Sequence, residues 1–321
     1  MKAIAQDRYG DSGVLELRDL ARPAPGPGEV LVRVHAAGVD PGVWHLTTGQ
    51  PYLLRLLGFG LRAPKNPVRG LDFAGTVEET GDGVTKFRPG DAVFGECTGS
   101  FAEYAVAKAD RVAVKPARLS FEQAAGVAIS GCTALQGLRD AGRVRPGQPV
   151  LVVGAAGGVG SFAVQLAKAF GAEVTAVCST GKTDLVRNLG VDHVVDYTRE
   201  DFTERQYDVV LDTASMRGLG QLRRALTPGG TLVLVGGENG GRWLGGVQRV
   251  AGAALLNPFV GHRLKGLVSA VRGADLEVLR EMLEAGKVTP LLDRTYPLAD
   301  AVAAIDHVHK GHSAGKVVLT L

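Results

Sequence analysis

Short apolar runs separated by turn residues fill the first third of the chain. "EVLVRVHAAGV" (29–39), "DFAGTVEET" (72–80), "DAVFG" (91–95), "FAEYAVA" (101–107) and "RVAVK" (111–115) have the length and residue types of strands. Pro25-Gly26-Pro27-Gly28, Gly81-Asp82-Gly83 and Pro89-Gly90 punctuate them. Such regular spacing predicts a small β-barrel over residues 1 to about 117. The rhythm changes at 119–142, "LSFEQAAGVAISGCTALQGLRDAG", where Ser120 and Gln123 have the spacing of a capping box ahead of an Ala-rich helix. From about 150, strand-like runs at 150–153, 174–178, 193–196, 208–212 and 231–235 alternate with helix-like segments. That alternation predicts an α/β domain, a doubly wound parallel sheet covered by helices. A helix (274–285), the short run "RTYPL", a second helix (299–309) and a closing strand "KVVLTL" follow, and the pattern leaves open which domain they join.

Composition narrows the function classes. The chain has 321 residues, 45% of them hydrophobic, enough for two domains with large cores. A formal charge of +3 without a block of like charge gives no electrostatic footprint for nucleic acid. Cys97, Cys132 and Cys178 lie far apart without zinc-ligand spacing and read as small buried hydrophobes. The start "MKAIAQDRYG" lacks the features of a signal peptide, and no apolar run reaches the roughly 18 residues of a membrane span. A soluble cytoplasmic protein is expected.

The chemistry concentrates where the first α/β strand meets "GAAGGVGSFAVQLAKAFG" (154–171). Gly154, Gly157, Gly158 and Gly160 lie between that strand and a helix with an apolar stripe, the setting in which backbone N–H groups bind a pyrophosphate. The next strand, "EVTAVC", ends in Ser179, Thr180, Gly181 and Lys182 with no acid before Asp184. An NAD site places a carboxylate there for the ribose 2′-hydroxyl; hydroxyls and a cation suit the 2′-phosphate of NADPH instead. Ala176 to Thr183 also reads A-x-x-x-x-G-K-T, one residue short of a P-loop, so a nucleotide triphosphatase is the weaker alternative. Asp212, at the end of a later strand, either caps the next helix or lines the cofactor groove.

With these residues in place, the chain resembles the medium-chain dehydrogenase/reductase superfamily, in particular its zinc-independent quinone oxidoreductase-like branch with the reticulon-4-interacting-protein-like reductases. "PAPGPGEVLVRVHAAGVDP", "GLDFAGTVEETGDGVTKFRPGDAVFG", "GSFAEYAV", "GAAGGVGSFAVQLAKAFGAEV", "DLVRNLGVDHVVDY" and "GHSAGKVVL" carry the likeness in this order. The resemblance implies a GroES-like β-barrel domain of residues 1–120 completed by 275–321, a Rossmann NADPH-binding domain over 121–274, and a homodimer. Alcohol dehydrogenase members place a zinc-binding Cys at Asp40, a His-Glu pair at Leu71-Asp72, and a third ligand near Ile129. Aspartates without the His and Cys set predict no metal. For NADPH the resemblance implies Ala156, Gly157, Gly158, Val159 and Gly160 at the pyrophosphate, Ser179, Lys182 and Tyr197 at the 2′-phosphate, and His312 as a C-terminal contact. Asp40, Tyr52 and His45 are the candidate catalytic residues for reducing a small apolar quinone or α,β-unsaturated carbonyl compound. Asp40-Pro41-Gly42-Val43 departs from the family's N-P-x-D, which leaves a low-turnover NADPH-binding regulatory or structural protein as an alternative.

Overall fold

The computed structural model describes residues 1–214, 217–236, 241–311 and 313–321. They form two compact units: Met1–Cys132, Ala270–Gly286 and Pro290–Leu321 make the first, and Thr133–Ser269 with Lys287–Thr289 the second. Unit 1 opens with an antiparallel pair, β1 (Lys2–Ala5) and β2 (Glu16–Asp19). Neither stands out by pattern, since each is four residues long and β2 has no buried position. Then come β3 (Glu29–Val39), α1 (Pro41–Thr48), β4 (Asp72–Thr80), β5 (Ala92–Glu96), β6 (Tyr104–Lys108), β7 (Val112–Val114), α2 (Phe121–Ala125) and α3 (Ala128–Gln136). The capping box at α2 forms: Gln123 N–H donates to Ser120 Oγ at 3.2 Å, and Ser120 N–H to Gln123 Oε1 at 3.1 Å.

Unit 2 contains β8 (Pro149–Val153), α4 (Gly158–Ala169), β9 (Glu173–Cys178), α5 (Thr183–Arg187), β10 (His193–Asp196), β11 (Tyr207–Asp212), α6 (Leu219–Arg224), β12 (Leu226–Val235), α7 (Val247–Leu256) and β13 (Arg263–Leu267). The six strands pair in parallel in the order β10-β9-β8-β11-β12-β13. Helix α4 packs on β8 and β9, α6 on β12 and α7 on β13, and the central strands are buried, in keeping with their unbroken apolar runs. Leu151, Val153, Val177, Val210, Leu232 and Leu234 form part of one core. Strand β13 escapes a hydrophobicity reading because Arg263 and Lys265 interrupt it, as suits the last strand of a sheet. The strand order reverses between β8 and β11, the switch point at which doubly wound sheets bind ligands.

The chain returns to unit 1 with α8 (Gly273–Glu284), β14 (Leu292–Pro297), α9 (Ala301–His309) and β15 (Lys316–Thr320). Strand β15 runs antiparallel to β3, Val317 opposite Val39, so the last strand stands beside the longest early one. The sheet orders as β14-β15-β3-β4-β5-β7, with β6 also on β3. Val32, Val34, Phe73, Val93, Phe101 and Val317 pack inside it.

Candidate active and cofactor sites

At the exit of β8 the chain turns sharply through Gly154, whose φ of 85° is left-handed. Helix α4 starts after an N-cap, Gly157, that offers no side-chain cap, so its first-turn amides are available to an anion. The turn is tight from inside: a Cβ on Gly160 would lie 2.1 Å from Gly154 O and 2.8 Å from Ala155 Cα. A Cβ on Gly157 would meet only Gly154 O, at 3.4 Å. Gly160 is therefore required by the protein's own packing, whereas Gly157 leaves its outer side open. This cradle fits a dinucleotide pyrophosphate. Ala156, Gly158 and Val159 complete the loop and the first turn of α4.

At the next crossover, β9 continues to Cys178, and a 3-10 turn, Thr180–Lys182, leads directly into α5. The P-loop reading fails here, because it needs the chain to leave the strand at Ala176. Ser179 O accepts the Lys182 N–H at 2.9 Å, and Tyr197 N–H donates to Cys178 O at 3.1 Å, so Ser179, Lys182 and Tyr197 gather at adjoining strand ends. One acid is close, Asp196 of β10, but it is buried and engaged by the Thr180 and Thr198 hydroxyls at 2.6 and 2.8 Å. The Thr180 hydroxyl is the main cause holding its carboxyl below the usual range. Sequence reasoning missed Arg217, whose guanidinium lies 5.2 Å from the centre of the Tyr197 ring. Asp212 does not cap α6, whose N-cap is Gly218; it accepts from Ala214 N–H at 3.3 Å and pairs with Arg249 at 2.5 Å. His312 lies outside the described residues.

Unit 1 holds a different centre. Asp40 precedes α1 but makes no capping bond to it. Its carboxyl instead meets the Lys316 ammonium and the Ser130 hydroxyl, and Lys316 also donates to Asp72 Oδ2 at 3.3 Å and to Ser130 Oγ at 3.2 Å. Asp72 Oδ1 accepts the Ile129 N–H at 2.9 Å. Two glycines make room: a Cβ on Gly38 would lie 2.8 Å from Asp72 Cβ, and one on Gly126 would crowd the Lys316 stem at 3.1 Å. Burial pushes the Asp72 carboxyl well above the usual carboxylate range, and the Asp40 charge adds to the effect. Burial alone lowers the Lys316 pKa, but Asp40 and Asp72 outweigh it and leave it raised. Sequence gave no sign of Lys316, a single cation opening an apolar strand. Of the other candidates, His45 Nδ1 donates to Gln50 O at 2.8 Å, and the Tyr52 ring faces the Arg55 guanidinium at 4.8 Å, which also covers Tyr9 at 4.3 Å.

Comparison with known proteins agrees with this architecture. Residues 26–117 match the alcohol dehydrogenase GroES-like domain and residues 189–319 the family described as zinc-binding dehydrogenase. A 2-methylene-furan-3-one reductase of Solanum lycopersicum is 34% identical, with 99% of this chain and 79% of that protein covered. A quinone oxidoreductase of Sus scrofa is 31% identical over 100% of this chain and 98% of its own length. The chain belongs to the medium-chain dehydrogenase/reductase superfamily. Among solved structures, mycobacterial Rv1454c complexed with NADPH superposes with a TM-score of 0.85 at 28% identity, covering 100% of both chains. This medium-chain reductase is thus an oxidoreductase of the quinone oxidoreductase-like kind.

The zinc in the matched family's description meets the wrong donors in this reductase. Where zinc-holding members place Cys, His and Glu, this chain has Asp40, Leu71 and Asp72. An ammonium already stands between the two carboxyls. Zinc favours a tetrahedral set of nitrogen and sulfur ligands, and a dication would also have to displace Lys316. Among the described residues no group of three or more His, Cys, Asp or Glu is placed to hold a metal. Cys97 and Cys132 are buried, and burial pushes the Cys97 thiol up.

Proposed function

We propose that this reductase transfers hydride from NADPH, without zinc, to quinones or α,β-unsaturated carbonyl compounds. The observation that carries the cofactor choice is the exit of β9, where Ser179 and Lys182 stand in place of a ribose-binding carboxylate. Asp196, beside the end of β9, is already occupied by Thr180 and Thr198. Lys182 and Tyr197 hold the 2′-phosphate, and Arg217, against the Tyr197 ring, adds positive charge there. The amides opening α4 hold the pyrophosphate between them, and NADPH supplies the hydride. The substrate class follows from relatives that are themselves a quinone oxidoreductase and a furanone reductase.

The test is a titration of both dinucleotides with the parent protein and with Lys182→Ala. The parent is expected to bind NADPH at least ten times more tightly than NADH, and the variant to lose most of that difference while NADH binding stays put. Equal affinities in the parent overturn the cofactor assignment. Turnover by metal-free protein across a panel of quinones and enones tests the rest: no NADPH oxidation with any of them leaves a binding protein, and activity that depends on about one zinc per chain overturns zinc independence.

A further inference from the structure

The parallel strands of unit 2 all point one way, so their sheet has two unlike ends. The glycine loop stands at the carboxyl end, where Gly154 follows β8. The five residues of β8 put the other end about 16 Å away. There, where β11, β12 and β13 begin, the surface sinks into a hollow of about 280 Å³. Among the described residues its lining holds four cations, Arg143, Arg145, Arg263 and Lys265, and one carboxyl, Asp208. An adjoining hollow of about 370 Å³ shares Pro228 and is lined by Arg223, Arg224 and His262, with no acid.

The cations come from separate parts of the chain. Arg143 and Arg145 follow the π-helical turn Gly137–Gly142. Arg263 and Lys265 are two apart on β13, on one face of the strand, with buried Leu264 between them on the other. Carbonyls hold these two in place: Lys265 Nζ donates to Ala141 O at 3.0 Å, and Arg263 to Gly229 O at 3.1 Å. A carbonyl accepts a hydrogen bond but does not cancel a charge. The one acid is engaged elsewhere, because Asp208 accepts from Gln148 Nε2 at 3.2 Å and from the Thr227 hydroxyl at 2.9 Å. Among the described residues none of the four cations forms an ion pair. Arg143, Arg145 and Arg263 are exposed, so a solute reaches them directly.

The backbone adds an independent sign. Arg143 holds φ 53° and ψ 46°, and it is the only residue other than glycine with positive φ among the described ones. Glycine is the usual occupant of such a left-handed position after a helix. Strain of this kind at a non-glycine residue points to a role for its side chain. Like charges gathered in a concave surface repel one another and attract an anion, and guanidinium forks match the oxygens of a phosphate. We propose that this hollow is a second anion site, separate from the glycine loop, that takes a phosphate-bearing small molecule. It stands on unit 2 alone and does not depend on the cofactor or substrate reading above.

Pyrophosphate is the probe, titrated into the full chain by calorimetry at constant ionic strength with chloride as the reference anion. The parent is expected to bind one pyrophosphate per chain, with or without an equivalent of NADPH. Arg263→Ser and Arg143→Gly should each weaken that binding about ten-fold, the loss of one charge-assisted contact. Arg143→Gly should also keep the parent's urea midpoint or raise it, since glycine accepts the positive φ without strain. Its lost affinity then cannot come from a folding defect. Equal affinity in the parent and both variants, or displacement by chloride at matched ionic strength, means a general counter-ion effect and overturns the proposal. Displacement by one equivalent of NADPH overturns it as well, because the probe then lies in the glycine loop.

Discussion

One methyl group separates two roles of glycine in the cofactor loop. At Gly160 it would strike backbone, 2.1 Å from Gly154 O, so Gly160→Ala is expected to cost about 1–3 kcal/mol as overpacking and to lower the melting temperature. At Gly157 the protein leaves space, its nearest atom being 3.4 Å away. Gly157→Ala should keep stability within about 0.5 kcal/mol of the parent, yet lose dinucleotide affinity by ten-fold or more, as the proposed pyrophosphate cradle requires. Denaturation and dinucleotide titration on the two variants separate packing from binding. Equal losses of stability would refute the distinction. At this scale the glycines were legible in the sequence, because a tight strand-to-helix turn demands them locally. Lys316 was not, because its meaning depends on Asp40 and Asp72, 276 and 244 residues away along the chain.

Helix α2 shows how far local code reaches. Ser120 and Gln123 mark its start by local spacing, and the reciprocal bonds form as that spacing predicts, while Ala124 and Ala125 are buried. Ser120→Ala should destabilise the native state by about 1 kcal/mol, read as a lower urea midpoint with an unchanged slope; no change would mean that the box is redundant with packing. Strands with both faces buried announce themselves by unbroken apolar runs, as β8 and β9 do. The charged strand β13 and the four-residue pair β1 and β2 carry no such run, and only their hydrogen-bonded neighbours define them. The end of β9 is intermediate: the missing acid is visible in sequence, but the engagement of Asp196 by Thr180 and Thr198 is a fact of folding.

For the whole molecule, the buried carboxyl couples stability to pH. Asp72 has a folded value well above its ordinary 3.8, so below that ordinary value it is protonated in both states. As pH rises beyond it, the unfolded chain releases this proton and the native state keeps it. Stability then falls by about 1.4 kcal/mol per pH unit from this group, until the raised folded value is reached. Lys316, raised above 10.5, works at the other end: its contribution is present below that value and is lost as pH climbs through the folded one. Urea unfolding at successive pH values should therefore show a shallower decline from pH 4 to 7 in Asp72→Asn than in the parent; parallel curves would contradict the shifted carboxyl.

The distance in sequence between the carboxyls and their ammonium also has a meaning in time. A ribosome releases Asp40 and Asp72 long before it adds Lys316, and the whole of β8 to β13 is made in the interval. Until then the two acids have no counter-ion, and β3 lacks its neighbour β15. The nascent first unit must wait, hydrated and unsealed, while the sheet of the second is already complete in synthesis. Closure of the early strands is thus deferred until β15 has been added, and ribosome-bound chains stopped before residue 316 should leave those strands open to proteases.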